Sequence, residues 1–140
     1  MARVLLAVLA LGLPVTMQAE QMEQFGDWQI HYVVFPSSFL TPAIAHNYGI
    51  TRAKDVGIVN ISVLDQDDNG APASVSGQAT NLLGQMSQLD FREVREGPAV
   101  YYLAEIRHTD QEVVRFSFAI TPPGAATFDL KFQQKLYWDE

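Results

Sequence analysis

The residues in this chain with the clearest capacity for chemistry are oxygen donors. Asp65-Gln66-Asp67-Asp68-Asn69-Gly70 matches the first half of a calcium loop, with side-chain oxygens at Asp65, Asp67 and Asn69 and glycine where such a loop turns sharply. The second half departs from the pattern: Ser76 stands where a bidentate acid belongs, and β-type sequence flanks the loop instead of helices. A solvated turn is therefore expected, and any calcium held by Asp65, Asp67 and Asn69 would lack a ligand. His31, His46 and His108 are the available imidazoles, and no two are spaced to share one face of a helix or strand. Ser37-Ser38 lacks the Gly-x-Ser-x-Gly setting of a nucleophile elbow and follows a strand-like run, which accounts for the serines as loop residues. Glu93 and Glu96 stand among Arg92 and Arg95, where mutual neutralisation on a surface is the expected use. The chain has no cysteine, which removes thiolate metal sites, disulfides and a cysteine nucleophile.

These residues must be positioned by short strands. Trp28, Ile30, Tyr32 and Val34 alternate with Gln29 and His31, the period of a half-buried strand that Pro36 ends. Residues 58–64 are β-branched and point Val59, Ile61 and Val63 one way, Asn60 and Ser62 the other. Asp67 to Gly70 then supplies turn chemistry, after which residues 74–81 are expected to return antiparallel. Strands are further expected over 88–93, 100–107, 113–121 and 128–137, separated by Gly97-Pro98, Thr109-Asp110 and Pro122-Pro123-Gly124. Val114, Phe116, Phe118 and Ile120 form one inward row, and Phe128, Leu130 and Phe132 another. A helix of about two turns fits within residues 37–49, opened by Thr41-Pro42 and stopped by Gly49. The pattern predicts an all-β, immunoglobulin-like antiparallel β-sandwich of about seven strands with one short helix, the alternative being a small β-barrel.

Length and charge bound the rest. The 140 residues are 48% hydrophobic and 18% charged, the composition of one globular domain, and the net charge of −7 opposes nucleic acid and anionic lipid as partners. Arg3, the apolar run from Val4 to Leu13, the break at Pro14 and Ala19 read as an export signal over residues 1–19, followed by one domain over 20–140. No membrane span is expected once the signal is removed, and the bacterial periplasm is the expected destination.

Phe25-Gly26-Asp27-Trp28, His31-Tyr32, Phe39-Leu40-Thr41-Pro42, Tyr48-Gly49-Ile50 with Arg52, Asn60-Ile61-Ser62-Val63 and Phe132-Gln133-Gln134 together resemble an uncharacterised family of small exported bacterial proteins, domain of unknown function 4426. The resemblance covers essentially the whole chain after the leader. It implies export and a single domain, and it transfers no catalytic residue.

No cofactor fingerprint accompanies these features, so none is expected, and the residues favour binding over catalysis. Val33 and Phe35 point away from the face that Trp28 to Val34 presents to the core, so something must return over them. Phe39, Leu40, Ile44 and Tyr48 form an apolar stripe in the next segment, with the last three at helical spacing. That stripe either covers Val33 and Phe35 internally, which is the favoured arrangement, or meets a partner. Phe35, Phe39, Leu40, Ile44, His46 and Tyr48 are accordingly the candidate binding residues. The expected function is a non-catalytic periplasmic binding or accessory domain that meets another envelope protein or itself. The alternatives are an envelope enzyme with a site assembled from loops and a calcium-steadied structural domain.

Overall fold

A computed structural model describes residues 20–139, so the leader expected over 1–19 lies outside the described residues. The strands are β1 (Gln21–Phe25), β2 (Trp28–Pro36), β3 (Val56–Leu64), β4 (Ser74–Asn81), β5 (Met86–Leu89), β6 (Arg92–Glu96), β7 (Ala99–Arg107), β8 (Glu112–Thr121) and β9 (Phe128–Leu136). They form two antiparallel sheets, one in the order β1-β2-β3-β7-β6 and the other β5-β4-β8-β9. The architecture is the expected antiparallel β-sandwich, and neither sheet closes into a barrel.

Alternation along the strands explains how the sheets meet. Ile30 pairs with Val63, Tyr32 with Ile61 and Val34 with Val59, so the inward rows of β2 and β3 lie side by side. The second sheet contributes Val114, Phe116, Phe118, Ile120 and Leu130 to the same core, with Phe128 and Phe132 packed against it. Phe132 stacks with Phe116 at a centroid separation of 4.9 Å and meets Tyr32 across the sandwich at 4.7 Å. Gly77 is required on β4 because a β-carbon there would lie 2.2 Å from the ring of Phe118.

Two connections and one edge strand differ from the expected pattern. The turn after β3 begins as a hairpin, with Leu64 bridging Gly70 and Ala71 N–H donating to Val63 O, but Pro72 follows and β4 joins the other sheet. The expected antiparallel return of 74–81 on β3 is thus replaced by a crossing between sheets. The single strand expected over 88–93 is two, β5 and β6, lying in different sheets. Asp90-Phe91 makes that crossing, and Phe91 meets Phe118 edge-on at 5.5 Å, so one aromatic anchors the chain as it changes layers. β1 was not expected from the sequence; it pairs along the edge of β2, from Gln21 opposite Tyr32 to Phe25 opposite Trp28. The described residues therefore hold nine strands instead of about seven.

Within 37–49 the expected two-turn helix is a 3₁₀ turn at Ser37–Phe39 followed by α1 (Pro42–Asn47). Thr41 caps α1 by accepting the Ile44 N–H at 3.2 Å, and proline occupies its first turn. Gly49, at φ 68°, turns the chain away, and a β-carbon there would lie 2.7 Å from the Arg92 guanidinium.

Candidate functional site

The segment between β2 and β3 folds onto the outer face of the first sheet. Val33, Phe35, Ile58 and Leu103 on that face join Ala45 and Ile50 in a second buried cluster, against which Phe39, Leu40 and Tyr48 pack. Phe35 is 7% exposed and faces this internal cluster, whereas Ile44 is 41% exposed and His46 is also exposed. Polar contacts hold the cap down. Ser37, fully buried, donates its hydroxyl to Ala53 O and accepts from Ala53 N–H, each at 3.0 Å. Arg52 donates to Leu40 O at 2.7 Å and to Ser38 O at 3.1 Å, and Arg92 donates to Tyr48 O. Of the six candidate binding residues, Ile44 and His46 thus face outward, while Phe35 on β2 and Phe39, Leu40 and Tyr48 in the cap belong to or pack against the inner cluster.

The other sequence candidates also occupy structural positions. Asp65 Oδ1 accepts the N–H groups of Asp67 at 2.9 Å and Asn69 at 3.0 Å, so one carboxylate closes the turn that resembled a calcium loop. Ser37 is engaged on both its donor and acceptor sides, and Ser38 Oγ donates to the carboxylate of Asp139. His31 stands opposite Ser62, while the N–H of His108 reaches Asp55 O near the other end of β3. About six residues of extended chain lie between those points, roughly 20 Å. Among the described residues no group of three or more histidines, aspartates and glutamates converges on one point.

The site that sequence reasoning missed is the turn joining β4 and β5. Leu82 is 63% exposed, Leu83 84% and Met86 58%, three of the most exposed large apolar side chains in the described structure, gathered at one tip. Asn81 fixes their presentation. Its Oδ1 accepts from the N–H groups of Leu83 and Gln85, both at 3.0 Å, and its Nδ2 donates to Gln85 Oε1 at 2.7 Å and Glu112 Oε2 at 3.0 Å. Gly84 supplies the left-handed residue at φ 83° and donates to Asn81 O. The available signal was Leu82-Leu83 before Gly84: adjacent large apolar residues in a turn break the polar pattern that turns normally follow.

Behind the tip, a cleft of about 380 Å³ opens between the ends of the two sheets, walled by Asn81, His108, Thr109, Glu112 and Trp138. Glu112 Oε1 accepts the Thr109 N–H at 2.9 Å, so both of its oxygens are engaged. Burial acts to raise the Glu112 pKa, but the hydrogen bonds from Thr109 and Asn81 and the nearby imidazole of His108 outweigh it and hold the carboxyl below its ordinary range. His108 Nδ1 lies 2.7 Å from Thr109 O; a carbonyl only accepts, so this nitrogen carries the proton. Trp138 donates its indole N–H to His108 O at 2.8 Å and its backbone N–H to Asp110 at 2.9 Å, closing one side of the cleft. These groups brace the base of the tip, with the Glu112 carboxylate held by Asn81 and Thr109.

The family profile described as "Domain of unknown function (DUF4426)" matches residues 22–139. The chain is 34% identical to a DUF4426 family protein from Pseudomonas aeruginosa PAO1 whose crystal structure superposes with a TM-score of 0.79, covering 86% of this chain and 97% of that one. A more distant similarity is to FetP of uropathogenic Escherichia coli strain F11, recombinantly expressed in the E. coli periplasm, at 14% identity and a TM-score of 0.63, covering 86% and 95%. A copper-bound variant of FetP matches at 12% identity and a TM-score of 0.58, covering 84% and 95%. At these identities the FetP likeness shows the fold. No curated protein matches the chain. Among the described residues no helix is long and apolar enough to cross a membrane. With the profile spanning nearly the whole described structure and the Pseudomonas protein sharing its fold, the chain belongs to the DUF4426 family.

Proposed function

We propose that this protein is a non-catalytic binding or accessory domain of the bacterial envelope, and that it meets another envelope protein through the β4–β5 tip. The observation that carries this reading is the combination of exposure and rigidity at Leu82 and Leu83: two large apolar side chains stand in water on a turn fixed by the four side-chain hydrogen bonds of Asn81. A preorganised apolar anchor enters a partner's pocket with little further loss of chain entropy, which is what concentrates binding energy in a few residues. The occupant of stated chemistry is a protein with an apolar pocket and a neutral or basic rim. Glu112 at the base of the tip, and the chain's net charge of −7, favour such a rim and oppose an anionic lipid surface. Export, implied by the leader-like sequence, is consistent with the periplasmic expression of FetP.

The test is a photoactivatable side chain placed at position 83 and, in a separate strain, at position 44, with cross-linking in intact cells. One discrete adduct from position 83, identified by mass spectrometry as an envelope protein and absent from position 44, is the expected result. An adduct from position 44 alone, adducts with lipid, or none from position 83 would overturn the proposal.

A further inference from the structure

The outer face of the first sheet also carries buried polar groups beside the apolar cluster. Nδ1 of His31 lies 3.5 Å from Oε1 of Glu20, with the two side chains only 8% and 3% exposed. This separation exceeds that of an ordinary N–H···O hydrogen bond. Oε1 of Glu20 and Oδ1 of Asn60 are both buried without a hydrogen-bond partner. Two orphaned acceptors on one sheet face call for a positive or donating group between them, because buried oxygens are otherwise satisfied.

The register brings the three residues to one area. Val33 lies directly opposite Asn60, His31 is two residues before Val33 on the same face, and Glu20 immediately precedes the Gln21 that pairs with Tyr32. Glu20 therefore enters beside Val33 from the side opposite Asn60. Burial first, then the charges of Glu96 and Glu20, push the Tyr101 hydroxyl upward, and Tyr101 belongs to β7 on the far side of β3. The Glu20 carboxylate thus acts across the sheet face on which Asn60 stands. On its other side the His31 ring meets Gln29 Oε1 at 3.1 Å. With that oxygen accepting, Nε2 donates to Gln29, which turns Nδ1 toward Glu20.

We infer that Glu20 Oε1, His31 Nδ1 and Asn60 Oδ1 form a site for one divalent first-row transition-metal ion, with zinc as the representative. Bonds of about 2.0–2.2 Å in tetrahedral geometry place neighbouring ligands roughly 3.3–3.6 Å apart, which matches the separation of Nδ1 and Oε1. The Gln29 contact is the outer hydrogen bond that orients a ligating imidazole. One imidazole, one carboxylate and one amide oxygen leave a fourth position for water, and the ion would fasten the N-terminal edge to β2 and β3. The site lies apart from the β4–β5 tip and does not depend on its function.

The full chain, stripped with a chelator and titrated with zinc, is expected to take up one ion per chain and to unfold at a higher temperature when loaded. Glu20→Gln and His31→Gln each lower zinc affinity about tenfold or more, Asn60→Asp raises it by adding charge at the same point, and His46→Ala on the exposed helix leaves it unchanged. Cooperative unfolding of each metal-free variant is checked first. If His31→Gln does not fold, Glu20→Gln at the sheet edge and Asn60→Asp decide the matter. A wild-type chain that binds no zinc, undiminished binding by Glu20→Gln, or binding lost in His46→Ala would overturn the inference.

Discussion

Two loops of this sandwich carry a pair of adjacent large apolar residues, and they meet opposite fates. Phe39-Leu40 lies in the connection between β2 and β3 and packs onto the outer cluster, whereas Leu82-Leu83 lies in the turn between β4 and β5 and stands in water. Reach separates them. Residues 37–55 are long enough to turn through α1 and return over Val33 and Phe35, while residues 82–85 only reverse direction and cannot fold back on a sheet. The polar chemistry follows the same division. Ser37, Arg52 and Arg92 hold the cap down on the sheet, and Asn81 holds the tip out in a fixed shape. An apolar loop is thus a core element where the chain can cover its own surface and a contact element where it cannot.

The largest losses are expected at the cap. Phe35→Ala should cost about 3–5 kcal/mol in chemical denaturation, because it empties a buried aromatic site between the sheet and its cover. Ser37→Ala follows at about 1–2 kcal/mol, since Ala53 would lose a donor and an acceptor in a half-buried place. At the tip, Asn81→Ala should cost only about 1 kcal/mol, because the released N–H groups of Leu83 and Gln85 reach water. The same change should raise amide hydrogen exchange at those two residues while leaving that of Ile50 in the cap unchanged.

A smaller effect is expected from pH. The Glu112 carboxyl is held below its ordinary range in the folded protein, so its contribution is fully present above that range and is lost as pH falls toward the lower folded value. The difference in unfolding midpoint between the native chain and Glu112→Gln should therefore be largest near neutrality and shrink below about pH 4. A difference that stays constant through that window would mean that Glu112 supports the tip by shape alone.

The sandwich was legible where alternation was strict. Val59, Ile61 and Val63 on β3, and Val114 through Ile120 on β8, show which side is buried by period alone. The crossings were not legible, because Asp90-Phe91 resembles the middle of a strand, and the change of sheet depends on Phe91 finding Phe118 in three dimensions. β1 escaped notice for a related reason: Gln21, Met22, Glu23 and Gln24 are exposed at a sheet edge, where burial imposes no apolar alternation. For the site, sequence identified an apolar stripe over Phe39 to Tyr48 and an uncovered face at Phe35. It gave no weight to Leu82-Leu83, whose significance depends on the lack of a surface within reach.

If the tip binds and the cap folds, altering the tip removes binding and leaves stability intact. The Leu82→Ser, Leu83→Ser double variant is titrated against the envelope protein cross-linked at position 83, with its unfolding midpoint recorded alongside. Both leucines are exposed, so stability should stay within about 0.5 kcal/mol of the native chain, whereas loss of the anchor should weaken binding by at least about 2 kcal/mol, roughly thirtyfold. Native affinity in the double variant would contradict the account.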